Sequence, residues 1–124
     1  MQTALQELYA RFGRGDLAGV IELCSDDIVF HIPGRVSFSG EHTKAGFGSF
    51  VNHVMQISEG TFRESIVDLM VGEQFGSVLL IHTLERNGRT IEYRTIHLWR
   101  IEHERFAEWW EYPQDLHEFE AAWS

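Results

Sequence analysis

The sequence predicts an α+β domain, and three observations carry that prediction. Apolar residues at helical spacing are confined to the stretch before Gly60 and to the last few residues of the chain. From Thr61 the spacing changes to two and continues to Tyr112, the period of sheet strands. Asn87-Gly88, between two alternating segments, is the dipeptide of a type I′ hairpin turn. Helices segregated from a meander of long antiparallel strands imply a curved sheet wrapped around the helices.

Each element follows from local pattern. Leu5, Leu8, Tyr9 and Phe12 form an i, i+3, i+4, i+7 stripe, so residues 2 to about 12 are an amphipathic helix. Gly13 and Gly15 end it, and Asp16 is placed to cap a second helix carrying Leu17, Val20, Ile21 and Cys24 on one side. Ser25-Asp26-Asp27 turns the chain into a strand over 28–32, closed by Pro33-Gly34, and 35–40 is a loop. Thr43 can cap a third helix with the stripe Phe47, Phe50, Val51, Val54 and Met55, which Gly60 stops. Strands are expected over 61–71, 75–86 and from Thr90 to Ile101, and a turn over Glu102–Arg105 leads to a last strand and a helix containing Leu116, Phe119 and Trp123. Both faces of the hairpin from Thr90 to Asp115 carry large apolar side chains, so both need cover. The protein's own helices supply one cover and a second subunit is the expected other, predicting a homodimer.

Composition bounds the function. A chain of 124 residues, 44% hydrophobic, is one domain spanning 1–124 with room for a real core. Net charge is −9, with Lys44 the only lysine, and no basic cluster exists to hold nucleic acid or an anionic membrane surface. Cys24 is the single cysteine, which excludes an internal disulfide. Residues 1–10 read as neither a signal peptide nor a membrane span, so a cytoplasmic protein is expected. The seven histidines never form an HxH, HxxxH or HExxH pair, so no metal site is expected unless ligands meet from distant strands. No GxSxG elbow or phosphate-binding glycine pattern is present, and no cofactor is expected.

Several segments in order carry a resemblance to a known family: Tyr9-x-x-Phe12-x-x-Gly15-Asp16-Leu17, Asp27-Ile28-Val29-Phe30-His31-x-Pro33-Gly34 and Ser39-Gly40, then Thr95 to Arg100 and Phe106-Ala107-Glu108-x-Trp110-Glu111-Tyr112-Pro113-x-Asp115. Together they resemble the SnoaL-like group of the nuclear transport factor 2 and ketosteroid isomerase superfamily. That resemblance implies a cone-shaped NTF2-like fold, in which a curved antiparallel sheet and N-terminal helices enclose a mostly apolar pocket, and dimers are common. Members include isomerases, polyketide cyclases, hydrolases, dehydratases and non-catalytic binding domains, so the fold does not settle the reaction.

Carried over residue by residue, the resemblance makes His31 the counterpart of the isomerase base, His97 that of the oxyanion aspartate and Tyr9 that of the first-helix tyrosine. Two histidines can exchange protons near neutral pH, because imidazole titrates there. Asp115 falls at the exit-strand acidic position, where it can also cap the last helix. Phe30, His53, His82, Trp110 and Tyr112 complete the expected ligand-binding set, with His53 on the rim and the aromatic faces suited to flat or cyclic ligands. Bland readings stand beside these: His31 satisfied by a backbone carbonyl, and His82 and His97 as bonded core histidines. The expectation is a pocket for a small, largely apolar, ring-containing or aromatic molecule, with cofactor-free acid–base chemistry of isomerase, cyclase or hydrolase type. The alternative is a non-catalytic binding or dimerisation module. Tyr93, His97 and Trp99 share one face, and the orientation of that strand decides between pocket and interface.

Overall fold

The computed structural model describes all residues from Met1 to Ser124. Three helices, α1 (Gln2–Gly13), α2 (Leu17–Glu22) and α3 (Phe47–Ile57), accompany six strands: β1 (Cys24–Ile32), β2 (Gly40–Thr43), β3 (Arg63–Val71), β4 (Phe75–Arg86), β5 (Arg89–Glu102) and β6 (Arg105–Pro113). A last helix, α4 (Leu116–Trp123), ends the chain. The strands form one curved sheet in the order β2-β1-β6-β5-β4-β3, antiparallel except where β1 runs parallel to β6. No helix is long and apolar enough to cross a membrane.

The helices pack on one face of the sheet because their stripes have only that face to cover. Leu5, Leu8 and Tyr9 of α1, Val51 and Val54 of α3, and Phe119 and Trp123 of α4 join the same core as Phe30, Val78, Leu80, Tyr93 and Trp99 from the strands. Phe30 lies fully buried against Phe47, ring centroids 4.9 Å apart. Asp16 caps α2 by accepting from the Gly19 amide at 2.9 Å, and Asp115 caps α4 by accepting from the Glu118 amide at 3.1 Å. At both tight turns two consecutive residues are left-handed: Asn87 and Gly88 (φ 54° and 75°), then His103 and Glu104 (φ 52° and 60°). Such turns match the twist of the strands they join.

Two elements depart from the local pattern. β1 begins at Cys24 rather than after Asp27, since Cys24 pairs with Phe106 of the parallel neighbour before a bulge restores the register at Val29. β2 has no apolar alternation to announce it; Gly40–Thr43 is a strand because β1 offers it an edge. A third irregularity matters more for the site. Between β5 and β6 the register shifts between Arg100 and Ile101: Arg100 faces Glu108 but Ile101 faces Phe106, leaving Ala107 as the extra residue. Such a bulge turns every later side chain of β6 to the opposite face.

Candidate active site

The helix-covered face of the sheet encloses a chamber of about 80 Å³ with a wall of phenylalanines and tryptophans and a polar floor. The floor is built by strand register. Glu64, His82 and Tyr93 are direct cross-strand neighbours on β3, β4 and β5, and His97 of β5 lies opposite Glu111 of β6. Alternation puts Thr95 on the same face between Tyr93 and His97, where its hydroxyl donates to Glu111 Oε2 at 3.0 Å. Tyr93, Thr95, His97 and Glu111 are all buried.

Two hydrogen-bond chains run into this floor. In one, Trp123 Nε1 donates to the Tyr93 hydroxyl (2.8 Å), which bonds His82 Nδ1 (3.0 Å), while His82 Nε2 donates to Glu64 Oε2 (2.9 Å). In the other, Trp99 Nε1 donates to the Tyr9 hydroxyl (3.1 Å), which bonds His97 Nδ1 (2.6 Å). Indole nitrogen can only donate, so each tyrosine oxygen accepts there, and at Tyr9 the phenolic proton is left for the Nδ1 of neutral His97. Neutral His97 therefore carries its proton on Nε2, and that nitrogen has no partner although it is buried. Glu64 and Glu111 oxygens each stand 3.9 Å away, beyond hydrogen-bonding reach. His97 thus presents an unused N–H donor to the chamber.

Burial sets the charges. It holds the His97 imidazolium well below its ordinary range, and the neighbouring His82 pushes it the same way. His82 moves upward: burial opposes its charge, but the hydrogen bond to Glu64 and the nearby Glu111 outweigh that penalty. Burial raises the Glu111 carboxyl, with His82 and the Thr95 hydroxyl only partly offsetting it. A neutral donor and a carboxyl raised above its ordinary range, lining one cavity, are the elements of acid–base chemistry.

The same groups also constitute the one constellation with metal-ligand spacing, as one donor atom each of Glu64, His82 and His97 lie within 4.8 Å of one another. Its chemistry fits a metal poorly. A ligating imidazole offers a lone pair from Nδ1 or Nε2, and here both Nδ1 atoms are engaged by tyrosine hydroxyls and His82 Nε2 by Glu64, so only His97 Nε2 is without a hydrogen-bond partner.

Of the residues singled out from sequence, Tyr9, Phe30, His82 and His97 line the chamber. His31 does not join them. It lies on the outer face of β1, bonded to Glu108 Oε2 at 2.6 Å and stacked 5.3 Å from Trp110, so it cannot share a ligand with His97. Trp110 and Tyr112 also face outward, because the bulge at Ala107 sends Trp109 and Glu111 inward instead. His53 sits outside the chamber on α3, bonded to the Ser37 hydroxyl at 2.7 Å. Asp115 is an exposed helix cap and does not line the chamber. Glu64 and Glu111, the two carboxylates of the site, were missed. The Asn87-Gly88 turn fixes the pairing of His82 with Tyr93, but neither carboxylate was legible: Glu64 reaches His82 across a bulge between Ile66 and Asp68, and Glu111 reaches His97 across the bulge at Ala107, and no sequence signal marks either.

The similarity of the chain to known proteins agrees with this architecture. A crystal structure from Xanthomonas campestris, of unknown function and cystatin-like fold, is 27% identical, with a TM-score of 0.88, covering 98% of this chain and 96% of that one. An NTF2-like protein of unknown function from Burkholderia pseudomallei is 22% identical at a TM-score of 0.87, covering 98% and 95%. TerC, co-crystallised with polyporic acid, is 20% identical at a TM-score of 0.83, covering 94% and 92%. No curated protein matches the chain. The model of the SnoaL-like domain matches residues 5–109, and the chain, with its α+β cone and polar-floored chamber, belongs to that NTF2-like family.

Proposed function

We propose that this protein binds a small, largely apolar molecule bearing a carbonyl oxygen and catalyses cofactor-free proton transfer next to it. One observation carries the reading: His97 lines an aromatic chamber, and its buried Nε2 has no hydrogen-bond partner. A ligand oxygen placed there would complete the chain from Trp99 through Tyr9 to His97. A neutral imidazole held in a dry site stabilises charge developing on that oxygen, because its dipole is already oriented and no water competes. Glu111, raised by burial and opposite His97 on the neighbouring strand, is the group to take and return the carbon-bound proton. Tyr9 positions His97 by holding its tautomer, and Glu64 and His82 fix the charge around Glu111. Enolisation is the first step shared by isomerisation, aldol cyclisation and dehydration, which suits the range of the family. TerC, solved with polyporic acid, supports a ligand-holding role for the shared fold.

The test is deuterium incorporation beside the carbonyl of simple ketones in heavy water, followed by proton NMR. Wild type should exceed buffer catalysis. His97→Ala should lose on the order of 10²–10³ of that acceleration, His97→Gln should recover part of it through its amide N–H, and Glu111→Gln should abolish it. Ketone binding with exchange no faster than buffer would make the chain a binding module instead.

A further inference from the structure

The chamber shares part of its wall with a second cavity. Tyr9, Phe12, Val51, Phe62 and Glu64 line both the chamber and an outer cleft of about 720 Å³ between α1, α3 and the start of β3. The inner volume of about 80 Å³ is roughly half that of a cavity of about 150 Å³ known to take benzene. That volume suits an acetyl-sized group better than a ring. The cleft is far larger and is lined by apolar Phe12, Leu17 and Met55, with Gln6, Asn52 and Arg63 among its polar residues.

We infer that the ligand is threaded: a small oxygen-bearing head, such as a methyl ketone, occupies the inner chamber, and an unbranched apolar body passes between Phe12 and Phe62 into the outer cleft. The inference rests on the reading of His97 as the oxygen's donor, but not on catalysis. It replaces the expectation of a cyclic group at the polar end with a linear one, and assigns selectivity to the neck rather than to the floor.

Position isomers test it, since 2-nonanone and 5-nonanone share one formula and differ in where the oxygen sits along the chain. Binding is read from the fluorescence of Trp99, Trp109 and Trp123, which line the chamber. The 2-isomer should bind at least about tenfold more tightly, and the series 2-pentanone, 2-heptanone, 2-nonanone should gain about two- to fourfold per methylene. Ala10→Trp and Asn52→Trp, both at exposed helical positions lining the cleft, should weaken 2-nonanone at least about fivefold. They should leave 2-pentanone within about twofold, because the shorter chain buries little area in the cleft. Equal affinity of the two isomers, cleft variants without effect, or no binding of any ketone would overturn the inference. Isomer discrimination without deuterium exchange would sink the catalytic reading alone, and exchange equal for both isomers would sink only the threaded ligand.

Discussion

His97 owes its chemistry to the contrast between its two ring nitrogens. Nδ1 is held by Tyr9 at 2.6 Å, while Nε2 faces the chamber without a partner. Burial keeps the ring neutral, and this links stability to pH with a definite sign. Below its unfolded value of about 6.5, the unfolded chain binds a proton on this imidazole that the folded chain refuses. The stability of neutral His97 is therefore fully present above that pH and is lost as pH falls below it. Measured against His97→Gln, which does not titrate, wild type should lose about 1.4 kcal/mol per pH unit between about pH 6 and 5 in urea unfolding. A constant difference over that range would mean that folded His97 carries the proton. The alternation around His97, with Tyr93 and Trp99 on the same face, was legible in the sequence; its partners from α1 and β6 were not, because contacts across 88 residues leave no local pattern.

At the scale of elements, β6 and α4 show how one local irregularity reassigns side chains. Without the extra residue Ala107, the two-residue turn at His103-Glu104 would set Trp110 opposite His97. With it, Glu111 takes that place and Trp110 moves to Leu98 on the outer face. Asp115 follows β6 and acts at the start of α4, where the first-turn amides need an acceptor. Asp115→Ala should cost about 1 kcal/mol of stability and Asp115→Asn close to nothing, because asparagine caps as well as aspartate. Neither should change deuterium exchange; a loss of exchange in the well-folded Asn variant would restore a chemical role to this carboxylate.

For the whole molecule, the outer face of the sheet is the side of the Thr90–Asp115 hairpin that the protein's own helices leave uncovered. Ile96 and Tyr112 are cross-strand neighbours there, 40% and 53% exposed, and Leu79 flanks Ile96 on the other side. Apolar side chains in contact and open to water favour a partner surface. The expected state is a homodimer of the 14.4 kDa chain through this face, seen by sedimentation at micromolar concentration. Ile96→Glu should give monomers that keep the chamber intact, since the side chain points away from it. A wild-type monomer at that concentration would overturn the assignment.

What the sequence determined by itself is the kind and order of most elements: helical stripes, period-two strands and the Asn87-Gly88 turn are local, and local patterning is enough to specify an α+β domain with a curved sheet around helices, though not the edge strand β2. It also set Tyr9 on the apolar stripe of α1 and His97 on one face with Tyr93 and Trp99, because a helix or strand phase needs only its own residues, but which face of that strand turns inward was decided by packing. Tertiary structure alone decided which carboxylates meet them. The bulge at Ala107 exchanged Trp110 for Glu111, and His31 was turned outward onto Glu108 and Trp110. Register across strands is a property of the pairing, and a single inserted residue reverses the face of everything beyond it.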